Sequence, residues 1–370
     1  MKIRFCSPVR SHMGYAELGR IIINQLVQAG HDVGVVEIPV QTSDTDFGAL
    51  GAQAIALLDR HASAEFNIVN MIPPLFERYM LPGARNIGYT MFESDSLPAE
   101  WVDRCNRMDA IWVPAIWVRE MFIASGVRVP VSVVGIEALA PIAAQVPIDG
   151  PFRMLSVFQW SARKNPVGLL RAFCSAFDGD ASVVLTLKTH RTGDPANNAA
   201  FVRNAIGYTL ARMKPRRFLP KVEVATDFFS SQQMRELHAS SHVLASLAHA
   251  EGWGLPAWEA SLAGMPVVHT DWSAPTEFVH PQGLVRCSLS PVFGMEDFVP
   301  YYDIGMRWAE PHLDHAITLM RASRDDFAGW RSRAQIHRED LLERYSPAAR
   351  QAALDAALQA AVAPGQNPGS

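Results

Sequence analysis

The stretch Ala250-Glu251-Gly252-Trp253-Gly254-Leu255-Pro256-Ala257-Trp258-Glu259-Ala260 decides how this chain is read. The mostly apolar run from Val243 to Leu247 precedes it and reads as a buried parallel strand. A Gly-x-Gly turn follows. Pro256 then suits the first turn of a helix, where its missing N–H costs nothing. The order is therefore strand, glycine loop, helix. Such a loop aims backbone N–H groups and the positive end of a helix dipole at whatever sits above it, which favours an anion such as a phosphate. Glu251 falls in the loop and Glu259 on the first turns of the helix. Together they can bracket a ligand that carries hydroxyl groups on either side of a phosphate, as sugars and riboses do.

Outward from this block, short apolar strands alternate with helical stretches. Ile3 to Cys6, Val33 to Ile38, Phe66 to Asn70, Asn86 to Tyr89, Ile111 to Val113 and Val131 to Val134 are expected strands. Helices are expected at Tyr15 to Gln28, Pro98 to Arg107 and Ile116 to Ala124, with Gly30 closing the first. A Pro- and Ala-rich stretch from Ala140 to Pro151 reads as a linker. The rhythm then restarts with strands at Met154 to Phe158, Ser182 to Leu187, Val222 to Val224, Val243 to Leu247 and Val267 to Thr270. Asn165-Pro166 resembles an N-cap followed by a first-turn proline, opening a helix with Leu170, Phe173 and Phe177 on one face. This βαβ repetition predicts doubly wound parallel sheets. The basic segment from Arg191 to Arg217 reads as a solvated helical surface, with docking of an acidic acceptor as the alternative. Ala348 to Ala361 is expected to be helical, and Gly365 to Ser370 disordered.

The chain's 370 residues suit two domains of ordinary size. Its net charge of −4 offers nothing that would attract nucleic acid or an anionic membrane. Cys6, Cys105, Cys174 and Cys287 are far apart and contain no C-x-x-C pair, so buried thiols in a reducing compartment are expected. Met1 to Ser7 is too poor in apolar residues for a signal peptide, and no run has the apolar length that spans a bilayer. A cytoplasmic protein without an integral membrane segment is the expectation.

The block from Glu251 to Glu259 resembles the E-x7-E signature of retaining glycosyltransferases of family 4. Ser261-Leu262-Ala263-Gly264-Met265-Pro266-Val267-Val268 is similar to that family's "small-x-x-G-x-P-V-V" run. The resemblance covers most of residues 80 to 345 and is sharpest from Ser156 to Glu277. It implies the GT-B fold, an α/β architecture of two Rossmann-like doubly wound domains facing a central cleft. The domains it implies are an acceptor domain at 1–140, a linker at 141–152, a nucleotide-sugar donor domain at 153–345, and a terminal helix at 346–364 crossing back to the first domain.

The same resemblance implies roles. Lys164 matches the family lysine that grips the donor diphosphate. The family arginine usually lies five residues earlier; that place is Gln159 here, and Arg163 is the candidate substitute. Fixed positive groups aimed at a leaving diphosphate give the largest catalytic contribution in such transfers. Glu259 is expected to accept hydrogen bonds from the donor ribose, and Glu251 to hold hydroxyls of the transferred sugar. Gly252, Trp253, Gly254 and Leu255 are expected to offer backbone N–H groups, with the base packed near Ala225 to Phe228. Trp253 stands where a phenylalanine is common. In the first domain, Ser11-His12-Met13-Gly14-Tyr15 is a partial match to a glycine-rich loop, so Gly14 is a donor candidate and His12 an acceptor candidate. Gly88-Tyr89-Thr90-Met91-Phe92-Glu93 with Pro98 and Trp101 resembles a first-domain variant, which makes Glu93 a cleft candidate. Glu277, in Asp271-Trp272-Ser273-x-x-Thr276-Glu277, matches a further cleft block.

Asp44-Thr45-Asp46 and Asp178-Gly179-Asp180 both read D-x-D, the metal motif of the other major transferase fold. The GT-B reading expects no obligatory metal and no cofactor beyond the nucleoside diphosphate sugar co-substrate. The family retains anomeric configuration. A double displacement would need a carboxylate beneath the anomeric carbon, whereas Glu251 is expected beside the sugar hydroxyls, so front-face substitution is the expected route. The donor is expected to be a UDP- or GDP-sugar and the sugar a hexose. Lipid, glycan, protein, small molecule and nucleic acid all stay open as acceptors. A nucleotide-sugar epimerase, a phosphorylase and a non-catalytic sugar-nucleotide-binding protein are the competing readings. A Rossmann dehydrogenase is disfavoured because no G-x-G-x-x-G follows the first strand.

Overall fold

The computed structural model describes residues 1–40, 47–60, 63–138, 150–191, 195–295 and 301–362, with the backbone alone at 195–197. The chain forms two compact units, Met1–Leu139 with Glu343–Ser370, and Ala140–Leu342. The Asp44 to Asp46 triplet, most of the expected linker and the last residues from 363 lie outside the described residues.

The first unit contains β1 (Lys2–Ser7), α1 (Gly14–Gln28), β2 (Asp32–Glu37), α2 (Gly48–Ala56), β3 (Phe66–Asn70), α3 (Phe76–Tyr79), β4 (Arg85–Tyr89), α4 (Ala99–Cys105), β5 (Ala110–Val113), α5 (Ile116–Ala124) and β6 (Val131–Val133). Its sheet has the order β2-β1-β3-β4-β5-β6, and every described pair is parallel. Buried Leu18, Ile21, Ile22 and Leu26 give α1 its core face. Gly30 then takes φ +78° just past the helix end, a conformation that favours glycine. Gly14 opens α1 itself, where the sequence suggests a loop residue.

The second unit contains β7 (Phe152–Gln159), α6 (Pro166–Ala176), β8 (Val183–His190), α7 (Pro195–Ala211), β9 (Lys221–Ala225), α8 (Ser231–Ala239), β10 (Val243–Ser246), α9 (Leu255–Leu262), β11 (Val267–Thr270), β12 (Leu284–Val285), β13 (Cys287–Pro291), β14 (Arg307–Pro311), α10 (Leu313–Asp325) and all but the last two residues of α11 (Phe327–Arg344). The last helix, α12 (Pro347–Val362), belongs to the first unit and packs against β4, β5 and β6. The second sheet is parallel in the order β12-β11-β10-β7-β8-β9. Its core joins Met154, Leu170, Phe173, Leu185, Leu187, Val243 and Val268, each worth about 1.5–3 kcal/mol when fully buried. Val202 and Ile206 of α7 join this core, so the basic segment is a half-packed helix rather than a wholly solvated one.

The antiparallel hairpin β13–β14 interrupts the βαβ rhythm and has no counterpart in the sequence expectations. It opens with Cys287, whose thiol is partly exposed, whereas Cys6, Cys105 and Cys174 are buried as expected. A two-stranded ribbon covers its side chains less completely than a six-stranded sheet. Among the described residues, no helix is long and apolar enough to cross a membrane.

Candidate active site

In the second sheet, the strand order reverses between β7 and β10, which lie side by side with Met154 opposite Val243. Loops leaving two such strands diverge and open a crevice at the sheet's C-terminal edge, where ligands of open α/β sheets bind. The loop after β7 carries Arg163 and Lys164. The loop after β10 carries Glu251. The His249 N–H donates to the Arg163 carbonyl at 2.8 Å and ties the two loops together.

Lys164 Nζ donates to both carboxylate oxygens of Glu251 at 2.6 Å. Arg163 Nη1 donates to Glu251 Oε2 at 3.1 Å and to the Ala250 carbonyl at 2.7 Å. The Glu251 side chain is only 9% exposed, and those of Lys164 and Arg163 are 14% and 17%. Burial alone would raise the Glu251 carboxyl, but the two cations outweigh it and hold it at about 2. Arg163 thus enters the site from its own position, four residues after Gln159. The neighbouring imidazoles of His249 and His269 are both pushed below the usual histidine range by burial. His249 stacks on Trp308 of the hairpin, with ring centroids 4.4 Å apart and planes 12° from parallel.

Asn165 follows the cations in the left-handed region (φ +49°), and its side chain caps α6 by accepting from the Gly168 N–H at 3.0 Å. A Cβ on Gly168 would lie 2.4 Å from Asn165 Oδ1, so the cap requires glycine there. On the other side of the crevice, Gly254 is the N-cap of α9 at φ +92°. Gly254 gives α9 no side-chain cap, and Pro256 contributes no N–H, so the helix start presents its dipole and backbone amides.

The Glu251 loop rests on a second loop. Ser273 Oγ accepts from the Glu251 N–H at 3.0 Å and donates to the Trp272 carbonyl at 2.6 Å. Ser273 is buried and holds φ +65°, ψ −165°, a region occupied almost only by glycine. The Trp253 ring is buried against Trp258 and Phe278, with centroids 5.3 and 4.9 Å away. Its side chain therefore anchors the loop in the core. Glu277 lies half-buried in the turn Ala274–Glu277, between Ser273, which bonds the Glu251 N–H, and Phe278, which packs on Trp253.

Gly252 is buried, while Gly254, Leu255 and Glu259 are partly exposed at the start of α9. Glu259 Oε2 lies 3.6 Å from Nε2 of buried His238. At the end of β8, Lys188 Nζ stands over the Phe229 ring at 4.8 Å, and the His190 ring lies 5.2 Å from that of Phe228, both partners following β9. Burial pulls the Lys188 ammonium down to about 8. The sequence does not single out Lys188, His238, His249 and His269, and it offers Ser273 only as part of the block that ends at Glu277. Lys188-Thr189-His190 at the end of an otherwise apolar strand was the visible signal for one of them.

The first-unit candidates gather at the C-terminal ends of β1 and β4. The Tyr15 hydroxyl lies 3.0 Å from Thr90 Oγ1 and 3.2 Å from the Met91 carbonyl, which docks the start of α1 against the loop holding Glu93. Asn70 Nδ2 donates to Ser7 Oγ at 2.9 Å and to the Tyr15 carbonyl at 2.7 Å. Gly14 faces open space, and the His12 ring lies 5.0 Å from that of Phe47. Asp178 and Asp180 close a turn: Asp178 accepts from the Arg216 and Arg217 N–H groups, and Asp180 accepts from Ser182 and Arg324.

No family model matches the sequence, and no curated protein matches it. Solved structures do match in shape. Sucrose-phosphate synthase from Thermosynechococcus elongatus aligns with a TM-score of 0.67 at 14% identity, over 97% of this chain and 98% of that one. A trehalose-6-phosphate synthase, studied for glycosyl transfer with retention, aligns with a TM-score of 0.64 at 12% identity, over 97% and 99%. S. aureus TarM, solved with α-GlcNAc-glycerol and UDP, aligns with a TM-score of 0.58 at 13% identity over 80% of this chain. The chain spans 55% of the length of that protein. Two parallel six-stranded Rossmann-like sheets and these similarities define the GT-B fold.

Proposed function

We propose that this protein is a retaining glycosyltransferase of the family 4 type. It transfers a hexose from a nucleoside diphosphate sugar, a UDP- or GDP-sugar, to an acceptor hydroxyl. The observation that carries this reading is the buried cluster of Lys164, Arg163 and Glu251 at the switch point beside the uncapped start of α9. Two cations and a helix N-terminus there suit a diphosphate whose charge grows as it leaves. In this reading the diphosphate oxygens take donors from Lys164, Arg163 and the α9 amides, while Glu251 accepts from sugar hydroxyls and Glu259 from the ribose. The retention studied in the trehalose-6-phosphate synthase and the UDP bound to TarM support the same chemistry here.

Front-face substitution fits the state of Glu251. A carboxylate held at about 2 and gripped by two cations is a weak nucleophile, unlike the one a double displacement requires. The bond from the anomeric carbon to the leaving phosphate oxygen breaks through an oxocarbenium-like transition state. The acceptor oxygen attacks from the same face, and its proton passes to the leaving phosphate oxygen. In this proposal the cations and helix dipole do the charge work without a resident metal.

The test is nucleoside diphosphate release from a panel of UDP-, GDP-, ADP- and TDP-sugars, with and without EDTA. Slow release from one donor, undiminished by EDTA and with the anomer retained by NMR, is the expected result. Inverted product, or release abolished by EDTA and restored by a divalent cation, would contradict the mechanism as drawn.

A further inference from the structure

The helix α8 is polar and closed at its start by a capping box of Ser230 and Gln233. Its one buried residue is His238, at 1% exposure. Met234 and Leu237 are only half-buried, so the most deeply buried side chain of this polar helix is an imidazole, where an apolar side chain would fill the space without a polar atom to satisfy. Among the described residues, neither ring nitrogen of His238 has a hydrogen-bond partner. Buried polar groups are nearly always paired, and one left unpaired costs about 1–3 kcal/mol. The Nε2 atom faces Glu259 Oε2 at 3.6 Å, just beyond hydrogen-bond length. The Glu259 side chain is 42% exposed, so it meets His238 on one side and solvent on the other.

We infer that His238 is a positioning residue for Glu259: an Nε2–H donor that restrains the carboxylate in the orientation that receives the ribose hydroxyls of a bound nucleotide. This rests on the reading of Glu259 as the ribose acceptor. A small rotation of the carboxylate closes the gap, and expulsion of water by the ribose strengthens the bond once it forms. Burial pulls the imidazole down to about 4, so at neutral pH it supplies one N–H and no charge. A neutral donor orients Glu259 without neutralising it, leaving its full negative charge for the sugar hydroxyls.

The test compares the wild type with His238→Leu, His238→Gln, Glu259→Gln and the His238→Leu/Glu259→Gln double variant. Calorimetry measures binding of UDP and GDP and of their 2′,3′-dideoxy analogues, and thermal melting checks that each variant is folded. For whichever nucleotide binds, His238→Leu should weaken affinity about 5- to 10-fold, one net hydrogen bond's worth. His238→Gln, which keeps a donor, should recover part of the loss. The effect should vanish in the Glu259→Gln background and with the dideoxy analogue, as coupling through one contact requires. An equal loss in both backgrounds, a loss that persists without ribose hydroxyls, or no loss at all would overturn the inference and leave the donor reading standing. If the wild type binds neither nucleotide, the donor reading falls and the inference with it.

Discussion

Lys164 Nζ lies 2.6 Å from both carboxylate oxygens of Glu251, so the two residues form a bidentate, mostly buried ion pair across the crevice between β7 and β10. Neither residue is near the other in sequence. Their pairing comes from the adjacency of two parallel strands whose following loops turn apart. In the proposed reading, the pair pre-sets an ammonium for the donor diphosphate and a carboxylate for the sugar hydroxyls.

Breaking that pair should separate stability from function. Lys164→Ala leaves Glu251 buried against Arg163, and should destabilise the fold by about 3 kcal/mol. It should also lower kcat about 10²- to 10³-fold, as loss of a preorganised charge does. The double change Lys164→Met/Glu251→Leu removes both buried charges and should regain most of the stability while leaving activity absent. Urea unfolding and steady-state kinetics on the same preparations check both halves.

The pair also sets an acid limb. The Glu251 carboxyl has an ordinary value of 4.5 and is held at about 2 in the fold. Its contribution to stability is therefore complete above about pH 4.5 and is lost progressively as the pH falls towards 2. The shift corresponds to about 3 kcal/mol. Urea unfolding between pH 3 and 6 should show a shallower decline for Glu251→Gln than for the wild type. Parallel curves would mean that Glu251 is not held down.

Ser273 combines a useful hydrogen bond with a strained backbone. Ser273→Ala loses the bond to the Glu251 N–H and keeps φ +65°. Ser273→Gly loses the same bond but adopts that backbone freely, relieving about 1–3 kcal/mol of strain. The glycine variant should be the more stable of the two, by at least about 1 kcal/mol, in equilibrium unfolding. Both should bind donor more weakly than the wild type.

Trp253 is 3% exposed and wedged against Trp258 and Phe278. Trp253→Ala should cost about 3–5 kcal/mol, as buried aromatic truncations do. Trp253→Phe should keep the loop anchored, with activity within a few-fold of the wild type. Thermal melting with donor turnover distinguishes a packing role from direct contact with the donor, since direct contact would make the phenylalanine variant inactive but stable.

Residues close in sequence were the most legible. Glu251, Gly254, Pro256 and Glu259 lie within one strand–loop–helix unit, so their spacing alone placed them at a helix start. Asn165 and Pro166 announced α6 in the same way. Support from distant segments carried little signal. Ser273 reaches Glu251 only because β11 lies beside β10, and Arg163 reaches it only because β7 does. His238 stands in an element whose periodicity is ordinary, and burial alone makes it conspicuous; Lys188 is marked only by the polar end of an otherwise apolar strand. The β13–β14 hairpin was hidden because Cys287-Ser288-Leu289-Ser290-Pro291 is short, part polar and ends in proline.

The measurement that tests the central claim most directly is calorimetric binding of UDP- and GDP-sugars to the wild type, Lys164→Ala and Glu251→Ala. One donor should bind the wild type at one site per chain and lose at least tenfold in affinity in each variant that melting shows to be folded. Binding unchanged in both variants, or no binding to the wild type by any of the donors, would contradict the assignment of this crevice as a nucleotide-sugar site.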